Sequence, residues 1–293
     1  MRKIVIIFFI FLCFVNYSFG FNNVILKKYG VLENSYYVIS PSNANNKKLP
    51  LVIFLHGRYG ILPEFYEGFI QHIVDNGNIV VYPVYQKMNT EEMQYTTNAY
   101  NSLTDCFKHI KNYDKDRVLY IGHSVGGGMA FNLAVLAKTK GGIPYPKGIF
   151  SIAGGFYIVG DKEKSQIEML NLEILDDLKS ILVIGDKDQF TKMENQLLIY
   201  NSLPEDIFKE ILLFDSLPNA KADHYFVCSL TSYSPVVARL GLKTIGLESA
   251  NINELDSKLW SLYDQFESYV FNISDNINLN AYDLYFSYGI GRN

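Results

Sequence analysis

The chain has 293 residues, 48% of them apolar, with 26 Lys and Arg against 30 Asp and Glu and a formal net charge of −4. That is ample to bury a core, which excludes a disordered chain, and no basic run tracks a phosphate backbone, which excludes nucleic acid as an expected partner. Aromatic residues make up 15%, a share read as core packing and a Tyr-rich surface rather than as a binding platform.

Residues 1–20 read as a secretory leader. Arg2 and Lys3 precede an apolar run from Ile4 to Val15, and Ser18-Phe19-Gly20 puts small residues at −3 and −1. The run is shorter than the roughly 20 residues that cross a bilayer. The expectation is cleavage before Phe21, a secreted or periplasmic protein, and no transmembrane anchor once the leader is gone. Cys13 follows Leu12 where a lipoprotein leader would have a small residue, so lipidation is not expected. Removing the leader leaves Cys106 and Cys228, a pair that an exported chain can join; the sequence leaves that pairing open.

After the leader, Val24 to Leu26 and Tyr36 to Ser40 are short β-rich runs separated by Gly30 and Asn34, as in an antiparallel hairpin. Continuous apolar runs, each suited to a strand buried on both faces, follow at Leu51 to Leu55, Ile79 to Val84, Val118 to Ile121, Ile149 to Ala153, Ile181 to Ile184 and Ile211 to Phe214. Between the second and third of these the pattern predicts a helix over Asn89 to Ile110, with Asn89 as cap, Glu92 at the third helical position, and Met93, Tyr100, Phe107 and Ile110 at helical spacing. A second helix follows Ser124. Near the C-terminus Leu255, Leu259, Leu262, Phe266 and Tyr269 step by four and three and draw an amphipathic helix. Strand and helix alternating in this way give an α/β fold, a mostly parallel sheet with helices on both faces. No repeat or linker splits residues 21–293, so one domain is expected.

Gly122-His123-Ser124-Val125-Gly126 is a G-x-S-x-G sequence. Composition alone would produce one in about one such chain in ten, so its context decides. It joins the strand at Val118 to a helix beginning Gly127-Gly128-Met129, the sharp turn that exposes a nucleophilic serine and aims helix N–H groups at the reacting oxygen. A serine hydroxyl needs a base to take its proton and an acid to orient that base. His224 is the one histidine downstream of Ser124, in the polar loop Asn219 to His224 after the strand at Ile211. Gly185-Asp186-Lys187-Asp188 offers two acids. Asp188, farther past its strand, is chosen, with Asp186 left to cap or accept backbone hydrogen bonds. For an oxyanion, the backbone N–H of Val125 supplies one donor and that of Arg58, where the strand at Leu51 turns after His56-Gly57, supplies the second. The Arg58 side chain is expected to be solvated.

Leu51 to Gly57, Asn78 to Pro83, Asp116-Arg117-Val118, Gly122 to Gly127, Gly185 to Asp188 and Asp223-His224-Tyr225-Phe226 together resemble the successive motifs of α/β-hydrolases of the dienelactone hydrolase, platelet-activating-factor acetylhydrolase and polyester-hydrolase-like groups. The resemblance implies the α/β-hydrolase fold with about eight strands, and an esterase-type triad of Ser124, Asp188 and His224. Serine stands where true dienelactone hydrolases have cysteine, so that reaction is not implied. No residue spacing suggests a metal site or a nucleotide loop, and no cofactor is expected. The expected activity is hydrolysis of a small-molecule or lipid carboxylic ester through an acyl-serine, with short, soluble esters favoured. A lipase, thioesterase, acyltransferase or peptidase would use the same triad, and a non-catalytic binding protein would use the same fold.

Overall fold

In the computed structural model, residues 21–44, 47–87, 89–156, 167–230, 252–280 and 282–286 are described. The leader expected at residues 1–20 lies outside them. All eight strands read from the sequence form: β1 (Val24–Tyr29), β2 (Ser35–Pro41), β3 (Leu49–Leu55), β4 (Ile79–Val84), β5 (Tyr113–His123), β6 (Gly148–Ile152), β7 (Lys179–Gly185) and β8 (Lys209–Phe214). A ninth, β9 (Asp283–Phe286), joins the edge beside β8. The order across the sheet is β1-β2-β4-β3-β5-β6-β7-β8-β9. β4, β3, β5, β6, β7 and β8 run parallel, while β2 pairs antiparallel with β1 and β4, and β9 with β8.

Alternation along the strands sends side chains to two cores. Leu51, Ile53 and Leu55 of β3 face one side, with Val118, Tyr120 and Ile149, under α2 (Tyr95–His109), α3 (Val125–Lys140) and α4 (Met193–Ser202). Val52 and Phe54 face the other, with Leu119, Ile121 and Phe150, under α1 (Glu67–Asp75) and α5 (Glu254–Val270). Phe54, Phe150, Leu259 and Phe266 are fully buried, and each such side chain contributes about 1.5–3 kcal/mol through area removed from water. α5 carries the apolar face read from the sequence: Leu255, Leu259, Leu262 and Phe266 are buried.

The helix expected to start at Asn89 starts later. Glu92–Gln94 form a single 3-10 turn and α2 begins at Tyr95, with no side-chain cap. Glu92 is bound to Arg58 instead of closing a capping box, and the preceding turn is held by Thr90, whose hydroxyl oxygen accepts the Lys87 N–H at 3.0 Å. Cys106 and Cys228 are free and buried. Cys106 belongs to the core under α2 and Cys228 to the core on the opposite side of the sheet, so no disulfide joins them.

Candidate active site

β3, β5, β7 and β8 are parallel, so the segments that leave their C-terminal ends meet along one edge of the sheet, where open α/β sheets bind ligands. Ser124 sits where β5 passes into α3, at φ 56° and ψ −126°. A non-glycine residue pays to hold a positive φ and does so only where its surroundings fix it. Here the Ser124 N–H donates to the Ile152 carbonyl at 2.9 Å, and the Ser124 carbonyl accepts from Gly127 at 2.9 Å and Gly155 at 3.2 Å. The flanking glycines are a matter of space. A Cβ on Gly122 would overlap the Gly126 carbonyl, and a Cβ on Gly126 would overlap the Leu55 carbonyl of β3.

His224 and Asp188 come to this serine from two other loops. His224 Nε2 lies 2.9 Å from Ser124 Oγ, and its Nδ1 lies 2.9 and 3.1 Å from the two carboxylate oxygens of Asp188. The Asp188 side chain is fully buried and that of His224 nearly so. Asp188 is aimed by its own turn: Oδ1 accepts the N–H groups of Phe190 and Thr191, both at 2.8 Å. In the tautomer that donates Nδ1–H to the Asp188 carboxylate, the imidazole presents its Nε2 lone pair to the serine hydroxyl. The Phe190 ring packs 5.2 Å from that of His224 and stays 41% exposed.

Asp186 points elsewhere. It accepts the Ser216 N–H at 3.0 Å and the Ser216 hydroxyl at 2.6 Å, and pairs with Lys187 at 3.0 Å. Ser216 Oγ in turn accepts the Ala222 N–H at 3.0 Å, so Asp186 ties down the loop that delivers His224. Partial burial pushes its carboxyl pKa up, but the Ser216 and Lys187 hydrogen bonds outweigh that and leave it below the usual value.

On the other side of the serine, β3 ends in His56-Gly57 and turns through Arg58 and Tyr59, closed by the Gly60 N–H donating to the Gly57 carbonyl at 3.0 Å. This turn lies against the serine: a Cβ on Gly57 would stand 3.3 Å from Ser124 Cβ. Val125 is the first residue of α3, so its N–H has no intrahelical acceptor. The Arg58 guanidinium, expected in solvent, is paired with Glu92; the partner is 34 positions away, and no local pattern marks such a pair.

Four buried residues that the sequence did not single out hold the Gly57–Gly60 turn and the serine in place. Tyr85 donates its hydroxyl to the His56 carbonyl and Tyr82 donates to the Gly60 carbonyl. The Tyr66 oxygen accepts the Gly57 N–H at 2.8 Å, and Tyr66 also meets His123 Nδ1 at 2.9 Å. Tyrosine's abundance was the one available signal, and composition does not say which hydroxyls are buried. His56 is completely buried, which pushes its pKa down to about 3 against the hydrogen bond to the Gly57 carbonyl, and it remains neutral. Among the described residues no group of three or more His, Cys, Asp or Glu side chains is arranged to hold a metal ion, and no helix is long and apolar enough to cross a membrane.

A family model described as Chlorophyllase matches residues 24–147, less than half of the chain but including Ser124. A protein of Acanthamoeba polyphaga mimivirus described as an alpha/beta hydrolase is 29% identical over 111 residues, 36% of this chain. The match spans only 32% of that relative's length. Among solved structures, the fold is similar to an α/β-hydrolase enzyme from a Medee basin deep-sea metagenome library, with TM-score 0.62 at 14% identity, covering 86% of this chain and 100% of that one. It is also similar to a thermostable esterase from Pseudomonas putida (TM-score 0.55, 17% identity, 81% and 84% covered). A carboxyl esterase from the fungus Tuber melanosporum gives TM-score 0.55 at 14% identity, with 79% and 86% covered. At these identities the solved structures speak to the fold alone, and the strand order and the turn at Ser124 agree with them: the chain has the α/β-hydrolase fold.

Proposed function

We propose that this chain is a serine hydrolase that cleaves carboxylic esters through an acyl-serine intermediate. One observation carries the reading: the unbroken hydrogen-bonded line from Ser124 Oγ through His224 to the buried Asp188 carboxylate, at a serine held in a strained turn. In the reaction, His224 Nε2 takes the Ser124 proton as Oγ forms its bond to the ester carbonyl carbon. The oxyanion is held by the N–H groups of Val125 and Arg58, and Asp188 stabilises the imidazolium. The imidazolium then protonates the leaving alkoxide as the C–O bond breaks. Water repeats the sequence on the acyl-serine, giving its proton to His224 and releasing the acid and the free serine. That two of the structures with this fold are described as esterases supports the choice of ester as substrate.

Incubation with a fluorophosphonate followed by peptide mapping tests the reading. The label is expected on Ser124, and Ser124→Ala is expected to abolish labelling and lower ester turnover by several orders of magnitude. Undiminished turnover in that variant, in protein that remains folded, ends the proposal.

We also propose that the preferred acyl group is short. Residues 157–166 of the connection from β6 to β7 lie outside the described residues, and the described part from Ile167 on is committed to the core. Ile167, Leu172, Leu175 and Leu178 are buried in the core under α3, and the Asn132 side chain pins this stretch through the Glu168 carbonyl and the Leu170 N–H. A long apolar groove would raise kcat/KM by about fourfold per added CH₂, from about 0.8 kcal/mol each. The expected profile on p-nitrophenyl esters instead peaks between acetate and hexanoate. A climb through dodecanoate would favour a second reading, in which the exposed rings of Tyr59 and Phe190 grip a large apolar substrate.

A further inference from the structure

Three hydrogen bonds beneath the serine join into one chain. Gly57 N–H lies 2.8 Å from the Tyr66 hydroxyl oxygen, that oxygen lies 2.9 Å from His123 Nδ1, and His123 Nε2 lies 2.8 Å from the main-chain carbonyl of His224. Tyr66 and His123 are each 2% exposed, so water does not substitute for any link.

The direction of each bond follows by elimination. A carbonyl has no hydrogen to give, so His123 Nε2 carries a proton and donates it to His224. An amide N–H cannot accept, so Gly57 donates to the Tyr66 oxygen. Tyr66 then has one hydrogen left, and the Nδ1 lone pair of a neutral His123 is its acceptor. Burial first, and the facing His224 ring second, hold the His123 pKa well below its usual value, while burial raises that of Tyr66 well above its own. Both therefore keep these protonation states around neutrality.

The chain ties together three segments at the edge of the sheet. Gly57 is next to Arg58 on the loop after β3, His123 is next to Ser124 at the end of β5, and the His224 carbonyl belongs to the loop after β8. We propose that Tyr66 and His123 are positioning residues: their hydrogen-bond chain sets the Arg58 backbone donor and the His224 imidazole in register with Ser124, without either residue touching substrate. This rests on the serine-hydrolase reading above. Reaction geometry is steep, since a displacement of about 1 Å can cost about 10²-fold in rate.

The test compares Tyr66→Phe, which keeps the ring and removes the hydroxyl, with His123→Leu, His123→Gln and the double variant Tyr66→Phe/His123→Leu. Each is measured for ester kcat and KM, for its rate of fluorophosphonate labelling and for its melting temperature. The expected result is a fall of about 10- to 100-fold in kcat and in labelling rate for Tyr66→Phe and His123→Leu, with KM within about threefold. The double variant should be no slower than the slower single, because one chain is broken only once. His123→Gln, whose amide can still donate to the His224 carbonyl, should recover part of the loss. In the wild type, ¹⁵N chemical shifts of His123 should report a neutral ring protonated at Nε2 from pH 6 to 8, a readout independent of activity. Folded Tyr66→Phe with kcat and labelling within twofold of wild type overturns the relay, as does a His123 ring protonated at Nδ1. Failure of the wild type itself to label at Ser124 overturns the serine-hydrolase reading and the relay with it, whereas labelling of wild type and variants at equal rates removes the relay alone.

Discussion

Asp186 and Asp188 stand two positions apart in one turn and are spent on different tasks. Asp188 meets the imidazole, while Asp186 meets Ser216 and through it the Ala222 amide. Asp188→Asn would turn an amide toward Nδ1 and favour the wrong imidazole tautomer, so kcat/KM on esters is expected to fall by about 10³- to 10⁴-fold with a modest loss of stability. Asp186→Asn is expected to keep turnover within about tenfold and to lower the urea-unfolding free energy by about 1–2 kcal/mol, through a weakened, partly buried hydrogen-bond pair. Kinetics and denaturation on the two variants check this, and the opposite ranking in turnover would exchange their roles. The sequence offered both aspartates because Gly-Asp-Lys-Asp closes a strand, and the farther one was favoured by reach alone. What it could not offer was the underside of the site. Tyr66, Tyr82, Tyr85 and His123 act through main-chain carbonyls and amides, whose positions exist only once the strands are assembled.

Two helix starts show how much a local pattern carries. The capping box expected at Asn89 and Glu92 does not form, because Glu92 is taken by Arg58. At α5 a complete box does form: Asn253 accepts from the helix, and Asp256 Oδ2 accepts the Asn253 N–H at 2.8 Å. That box has a cost. Asp256 is 1% exposed and its Oδ1 has no partner, so burial, opposed by the Asn253 and Asp256 backbone hydrogen bonds, pushes its pKa up to about 7. The folded state thus holds this proton more tightly than the unfolded one. The stability it contributes is complete below the ordinary carboxylate range and is lost as pH rises through about 7. The melting temperature is expected to decline between pH 5 and pH 8 more steeply in wild type than in Asp256→Asn, where the position no longer titrates. Parallel curves for the two proteins in scanning calorimetry would remove Asp256 as the source.

Across the whole molecule, the alternation of apolar runs with helical spacing was enough to read eight strands and a largely parallel sheet, because strands buried on both faces have little freedom in composition. Their lateral order was not legible. Placing β4 outside β3, with β2 folded back against it, is fixed by crossovers and packing. The four-residue β9 pairs only because the edge of β8 is there to receive it. The layering also bears on how the chain can be made. Cys106 and Cys228 end up in separate cores with the sheet between them, whereas a disulfide needs Cα atoms within roughly 4.4–6.8 Å of each other. Oxidation before collapse would cross-link two halves that must finish on opposite walls, and that product reaches the native state only after the bond is reduced. In an oxidising medium, biogenesis is therefore a race between thiol chemistry and the closing of two cores. Each thiol is safe only when its own side has shut.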